Sequence, residues 1–264
     1  MEIPLFPLHT VLCPGIVLPL HIFEDRYRAL TRHCLDTGAP FGVVLIREGR
    51  EVGGGRELAL ASVGALVEIR EAGRYPDGRF DLLAAATGRF AIDAVDPVRE
   101  PYLVADVTPL EDEVGDEARA ERLAASAIRK FVRYLDLMRA REGETNEELD
   151  IRVEFDSTAA DAEDAEDADD ADDAEDADPN AEALDAAGPG PSLLIPDDPT
   201  VLSYLLSGII QIELPRRQAL LEASTTVDRL EALVALLDRE LLLLAGRLRL
   251  FAPDPRVAGG PRRS

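Results

Sequence analysis

The apolar positions of this chain change their spacing near residue 112. Before that point they form short runs separated by turn residues; beyond it they recur every three or four positions. Ile3 to Leu8 and Gly15 to Leu20 read as extended segments around the turn Cys13-Pro14-Gly15. Glu24 to Leu35 reads as a helix, because Phe23, Tyr27, Leu30 and Cys34 fall at spacings of four, three and four on one face. Gly38 and Pro40 stop it. Phe41 to Ile46 is a buried strand, and the glycine-rich stretch Arg50 to Arg56 is a plain loop. Ser62 to Ile69 and Phe80 to Ala86 are strands joined across Pro76-Asp77-Gly78, and Arg89 to Val95 and Tyr102 to Leu110 continue the pattern.

After Gly115, Ala124, Ile128, Phe131, Leu135 and Met138 mark a long helix ending near Glu142. Asp198-Pro199 supplies an N-cap and a first-turn proline for a helix through Ile209. A short helix follows Pro215, through Glu222. The last helix carries Val227, Leu230, Val234, Leu237, Leu241, Leu244 and Leu248 in three–four alternation, with Thr225 and Asp228 placed as a capping box. Leu233, Leu236 and Leu243 widen its apolar stripe beyond a two-stranded seam, which favours an internal bundle over a coiled-coil dimer. The expected architecture is α+β: a mostly antiparallel β-lobe over 1–112, then a helical bundle lobe over 113–142 and 198–251. An acidic insert expected to be disordered occupies 143–197, and a loose basic tail 252–264.

Charge changes the picture in one place. The 264 residues carry a formal charge of −24, but 23 of the 52 acids lie between Glu142 and Asp198, with Arg152 as the sole base there. That leaves 29 acids against 27 bases elsewhere. Ala159 to Asp178 is an alanine–aspartate–glutamate repeat that repels itself and has little apolar surface to bury, so disorder is expected. The near-neutral remainder argues against a basic nucleic-acid face. The apolar N-terminus lacks a basic leader and is broken by Pro4, Pro7, Pro14 and Pro19, so it reads as strands and turns rather than an export signal. A cytoplasmic, membrane-free protein is expected.

Several chemistries lack their residues. Lys130 is the only lysine and follows no glycine loop, so no nucleotide P-loop exists. Ser126 lies four residues before it, but an exposed helix surface offers neither an oxyanion hole nor a desolvated amine, so a Ser–Lys dyad is not expected. His9, His21 and His33 do not form a zinc-ligand spacing. Cys13 and Cys34 read as small buried apolar residues. No cofactor, metal or catalytic residue is expected.

An ordered series of short motifs carries a resemblance. Pro4-Leu5-Phe6-Pro7-Leu8, Val11-Leu12-Cys13-Pro14-Gly15 and Leu18-Pro19-Leu20-His21-Ile22-Phe23-Glu24, followed by Arg26-Tyr27-Arg28, begin it. Phe41-Gly42-Val43-Val44, Val63-Gly64, Asp77-Gly78-Arg79, Gly88-Arg89-Phe90 and Pro101-Tyr102 follow in order, and Arg217 to Glu222 with Arg229-Leu230 extend it into the helices. The chain resembles the Lon protease N-terminal, substrate-binding domain family. The resemblance implies a PUA-like β-lobe before a helical bundle, and a non-catalytic module that binds unfolded or hydrophobic protein segments. A separate protease or chaperone is the implied partner, in an adaptor role in protein quality control; a PUA-like RNA-binding module is the alternative. Pro14, Gly15, His21, Phe23, Glu24, Arg26, Tyr27, Gly88, Arg89 and Phe90 are the motif residues expected to act as scaffold or peptide contacts. Phe23 and Tyr27 are expected to anchor the helix to the sheet, and Gly88 to permit a special backbone conformation before Arg89.

Overall fold

The first corner of the chain is a type II turn. Ile16 N–H donates to Cys13 O at 3.1 Å, Pro14 stands at the second position, and Gly15 takes φ +82° at the third. This turn brings β2 (Val17–Ile22) back from β1 (Glu2–Leu8), and α1 (Asp25–Thr37) ends on Gly38 at φ +69°. Then come β3 (Phe41–Glu48), β4 (Ala59–Leu60), β5 (Val63–Arg74), β6 (Phe80–Asp96) and β7 (Leu103–Leu110). The computed structural model describes residues 1–48, 59–142, 152–155 and 192–251. The expected loop from Arg50 to Arg56 lies outside them, as do the repeat from Ala159 to Asp178 and the tail.

The strands pair in the order β1-β7-β6-β5-β3, and a parallel β1–β3 ladder closes the ring; β4 extends β3, and β2 lies along β6. All other pairings in this sheet are antiparallel. Sequence spacing splits β6 at Gly88, whereas the structure runs one strand of 17 residues through it. The break is absorbed sideways. β5 pairs Leu66 with Gly88 and Val67 with Ala86, so Thr87 is an extra residue in a bulge and Gly88 keeps ordinary dihedrals. The first half of β6 then serves β2 and the second half serves β7.

One core cluster packs Phe6, Tyr27, Leu30 and Cys34 with Phe41, Val67, Phe80 and Leu82 beneath α1. A second gathers Ile3, Leu5, Cys13, Val44, Phe90 and Val107 with Tyr204 and Leu221 from the helices. Phe90 is fully buried, and its ring fills the space above two glycines: a Cβ on Gly42 or Gly64 would lie 2.6 Å from Phe90 Cζ. That close approach explains both glycines without any strained backbone.

The helices are α2 (Glu117–Glu142), α3 (Pro199–Ile209), α4 (Leu214–Glu222) and α5 (Thr226–Phe251). Asp198 Oδ1 accepts from Thr200 N at 2.7 Å and Val201 N at 3.0 Å, capping α3 as its sequence requires. The Thr225–Asp228 capping box forms reciprocally, at 3.2 and 3.1 Å. Leu230, Leu233, Leu237 and Leu244 are buried, whereas Leu242 and Leu243 are exposed. α5 therefore packs on the other helices through its Leu230 side; of the residues expected to widen its stripe, Leu233 is buried, Leu236 half-buried and Leu243 exposed.

Met1–Met138 and Asp198–Ser264 form one compact unit, and Arg139–Asp197 a second. The sequence boundary at residue 112 is therefore not a unit boundary, because the second core cluster crosses it. Within the stretch expected to be a disordered insert, β8 (Arg152–Phe155) and β9 (Ser192–Ile195) pair in parallel, a difference from the sequence reading. Four-residue strands flanking a long polar tract leave too little pattern to detect.

The β-ring and helices of the first unit are joined by a buried polar clasp. Arg89 on β6 is 3% exposed and Arg229 on α5 is 0% exposed. Arg89 Nη1 donates to Leu221 O and Ala223 O, both at 2.8 Å, and Arg229 Nε to Leu220 O at 3.2 Å. Both guanidinium groups thus bond carbonyls at the C-terminus of α4, where Leu220 O also accepts from Ala223 N at 3.4 Å. Asp112, just past β7, pairs with Arg89 Nη2 at 2.7 Å and accepts the Tyr204 hydroxyl. Arg229 Nη2 is 3.5 Å from the same oxygen, a Coulombic rather than a hydrogen-bonding distance, and its guanidinium lies 3.7 Å over the Tyr204 ring. Burial raises the Tyr204 phenol well above its ordinary value and lowers the Arg229 guanidinium. Tyr204 therefore keeps the proton it donates.

Asp112→Ala is expected to lower unfolding free energy by about 3 kcal/mol, because two buried cations lose their shared carboxylate. Tyr204→Phe should cost only about 1 kcal/mol. Urea denaturation of the two variants measures the contrast; equal, small losses would remove the clasp from its central role.

Candidate functional site

The motif residues separate into scaffold and surface. Pro14 and Gly15 form the turn described above, which Gly15 N ties to Ala86 O at 2.9 Å. Tyr27 is buried and stacks on Phe6 with ring centroids 4.0 Å apart. Glu24 is the N-cap residue of α1, and its carboxylate pairs with Arg26 at 3.0 Å; the Arg26 guanidinium lies 4.4 Å above the Tyr27 ring. Phe90 is core and Arg89 belongs to the clasp, so neither is available to a ligand. Gly88 borders the bulge without a special φ, which corrects the role expected of it.

Phe23 is the second correction. It is 61% exposed and anchors nothing. The helix begins two residues later, at Asp25, so the helical spacing that grouped Phe23 with Tyr27 does not apply to it. Phe23 instead continues the outward side of β2. In that strand Val17, Pro19 and His21 point outward opposite Ala85, Leu83 and Asp81 of β6. Val17 is 50% exposed, Leu83 37%, and Tyr75 beside them 39%. These side chains make one apolar face with a polar seam.

The seam is specific. His21 Nδ1 lies 2.6 Å from Asp81 Oδ1, and the Tyr75 hydroxyl donates to Asp81 Oδ2 at 2.5 Å. The His21 ring is 6.2 Å from both Phe23 and Tyr75. Arg79 pairs with Asp77 at 2.8 Å and faces His21 Nε2 at 3.4 Å. The Tyr75 hydroxyl, then His21, hold the Asp81 carboxyl below its ordinary range. A lowered folded value means that this stabilisation is present above the unfolded carboxylate range and is lost as pH falls through the folded one.

The turn that bears Tyr75 and Arg79 is latched to α1. Arg28 Nε donates to Gly78 O at 2.8 Å, Nη2 to Asp77 O at 3.0 Å, and Nη1 to Asp25 at 2.8 Å. Sequence reasoning gave no site role to Val17, Pro19, Arg28, Tyr75, Arg79, Asp81 and Leu83, although Pro19, Arg28 and Arg79 stand within its motifs. One signal was present: Val17-Leu18-Pro19-Leu20 is apolar at every position, so a strand with one solvated face must expose some of it.

β2 is also an edge. Among the described residues it pairs only with β6. Ala86 N donates to Ile16 O at 3.0 Å, which places the bonded pairs at alternate positions, so Pro19, opposite Leu83, directs its backbone away from β6. The free edge therefore lacks a donor at its centre.

Reactive constellations do not assemble around this face. Lys130 bonds to Asp238 on α5, away from Ser126. Among the described residues no group of three His, Cys, Asp or Glu could hold a metal, and no helix is long and apolar enough to cross a membrane. Cys13 and Cys34 are unpaired and buried, and burial pushes both thiols up to about 11.

Taken together, the closed β-ring, the helical part packed on it and the open apolar face define a domain of α+β class. The model of the ATP-dependent protease La (LON) substrate-binding domain matches residues 2–239, and the chain belongs to that family. The Lon N-terminal domain protein of Xanthomonas campestris superposes with TM-score 0.54 at 23% identity, covering 89% of this chain and 98% of that one. The N-terminal domain of Lon protease from the Mycobacterium avium complex gives 0.53 at 18%, covering 90% and 98%. A Lon protease of Flavobacterium johnsoniae is 28% identical over 122 residues, which is 46% of this chain but only 15% of that protein.

Arg28→Ala is expected to speed amide exchange at Tyr75 and Gly78 about tenfold while distant strands stay protected. Hydrogen exchange followed by NMR reads this, and unchanged rates would mean the turn holds itself. A thiol reagent at neutral pH is expected to leave native Cys13 and Cys34 untouched and to label both after denaturation. Rapid labelling of the folded chain would contradict their burial.

Proposed function

We propose that this chain is a non-catalytic recognition module that captures unfolded or hydrophobic protein segments on the β2–β6 face, as an adaptor for a separate protease or chaperone in the cytoplasm. The carrying observation is the cluster of Phe23, Val17, Leu83 and Tyr75, all exposed and contiguous on a domain of the Lon substrate-binding family. Exposed aromatic and aliphatic side chains gain by leaving water, and the His21–Asp81–Tyr75 seam offers hydrogen bonds beside them. Such a face suits weak, sequence-tolerant binding, with Kd on the order of micromolar. The RNA-binding alternative gains nothing from this face. Arg79, the arginine in the seam, is already paired with Asp77.

Titrating the chain with a permanently unfolded, carboxymethylated protein should shift the amides of Val17 to Phe23 and Phe80 to Ala85. Phe23→Ser with Leu83→Ser should weaken binding about tenfold, since each side chain stands to bury a few tens of Å² or more, and leave thermal unfolding nearly unchanged. Undiminished binding by that variant, or shifts confined elsewhere, would sink the reading.

A further inference from the structure

Arginine is almost the only base in this chain, and most arginines with a described side chain are engaged. Arg47, Arg70, Arg79, Arg99, Arg119, Arg216 and Arg239 are ion-paired; Arg89, Arg217 and Arg229 bond to backbone carbonyls. Among the described residues, Arg32 on α1 and Arg122, Arg129 and Arg133 on α2 have no such partner, and Arg74 has only the Phe80 ring, 6.0 Å away. At 100° per residue the three on α2 fall within about 40° of one another, along about 16 Å of helix. All three are exposed.

The inner side and one flank of α2 are engaged. Ala120, Ala124, Ala127, Phe131 and Tyr134 are buried on its inner side. Arg119 reaches Glu231, and Lys130 reaches Asp238, so its flank is tied to α5. The outer stripe gathers three of these arginines on one helix, with Asp136 on the same side three residues beyond Arg133. Arg129 and Arg133 stand four apart, a spacing at which like charges repel, and no acidic residue intervenes between them. Ser126, small and half-buried, leaves room between Arg122 and Arg129 for a partner chain to approach.

We infer that this stripe is a second docking surface, for a protein segment rich in aspartate and glutamate. Guanidinium forks match carboxylates in a bidentate fashion, and three in line fit side chains spaced along an extended or helical partner. The net charge of −24 does not forbid this, because ionic screening within about 8 Å makes the local sign decisive. Three bases are few for a polyphosphate, which draws its affinity from many neutralised charges. The surface uses no residue of the β2–β6 face, so the two readings stand or fall separately.

The test is fluorescence anisotropy of a labelled polyglutamate peptide with the full chain at about 50 mM salt. Arg122→Gln, Arg129→Gln and Arg133→Gln together should weaken binding about tenfold, the scale of three exposed ion pairs. The corresponding lysine triple should stay within about threefold of the original chain, and Phe23→Ser should have no effect. Absence of binding by the unaltered chain overturns the inference, as does equal binding by the glutamine triple. Tighter binding of a single-stranded RNA of equal charge, lost in the glutamine triple, would also overturn it and reassign the stripe to nucleic acid.

Discussion

One carboxylate organises the joint between strands and helices. Asp112 answers Arg89 from β6, Arg229 from α5 and the hydroxyl of Tyr204 from α3, while the same arginines bond carbonyls at the end of α4. Two buried guanidinium groups are costly to desolvate. Here Arg89 Nε and Arg229 Nη2 are buried without a hydrogen-bond partner, so the shared carboxylate carries much of the compensation. The geometry of four separate elements is therefore set by one polar network rather than by apolar contact alone. Elsewhere in the joint, packing is close enough to demand glycine: a Cβ on Gly208 would lie 2.7 Å from Ile16 Cγ1.

That joint explains which surfaces remain free. The second half of β6 is committed to β7 and to the helices, through Phe90 and Arg89. Its first half has β2 alone beyond β5, and α1 covers the inner side through Tyr27, Leu30 and Cys34. Among the described residues, nothing forms a covering layer over the outward side of β2. Arg28 then holds the neighbouring turn against α1, so Tyr75 and Arg79 frame the face from a fixed position. The proposed recognition role is thus a by-product of how one long strand divides its partners.

Much of this was legible in local pattern. The turn at Pro14-Gly15, the cap at Asp198, the box at Thr225 and Asp228, and the helices around Phe131 and Leu237 all follow from short-range chemistry. What local pattern could not show depends on distant partners. The continuity of β6 comes from a bulge shared with β5, and β4 has only two residues. Arg89 and Asp112 lie far from Arg229 in sequence, so their meeting has no periodic trace. Phe23 was misplaced because helical spacing was extended past the N-cap. The face itself was hidden because apolar residues in β2 look like core until the sheet order reveals an edge.

Pro19 gives that edge a particular temper. A captured extended chain that tried to zip onto β2 would find a missing rung in the middle, where the ring nitrogen has nothing to give. Attachment must then come from side chains, which grip loosely and release readily. An edge interrupted in this way is a poor template for strand-by-strand growth of fibres.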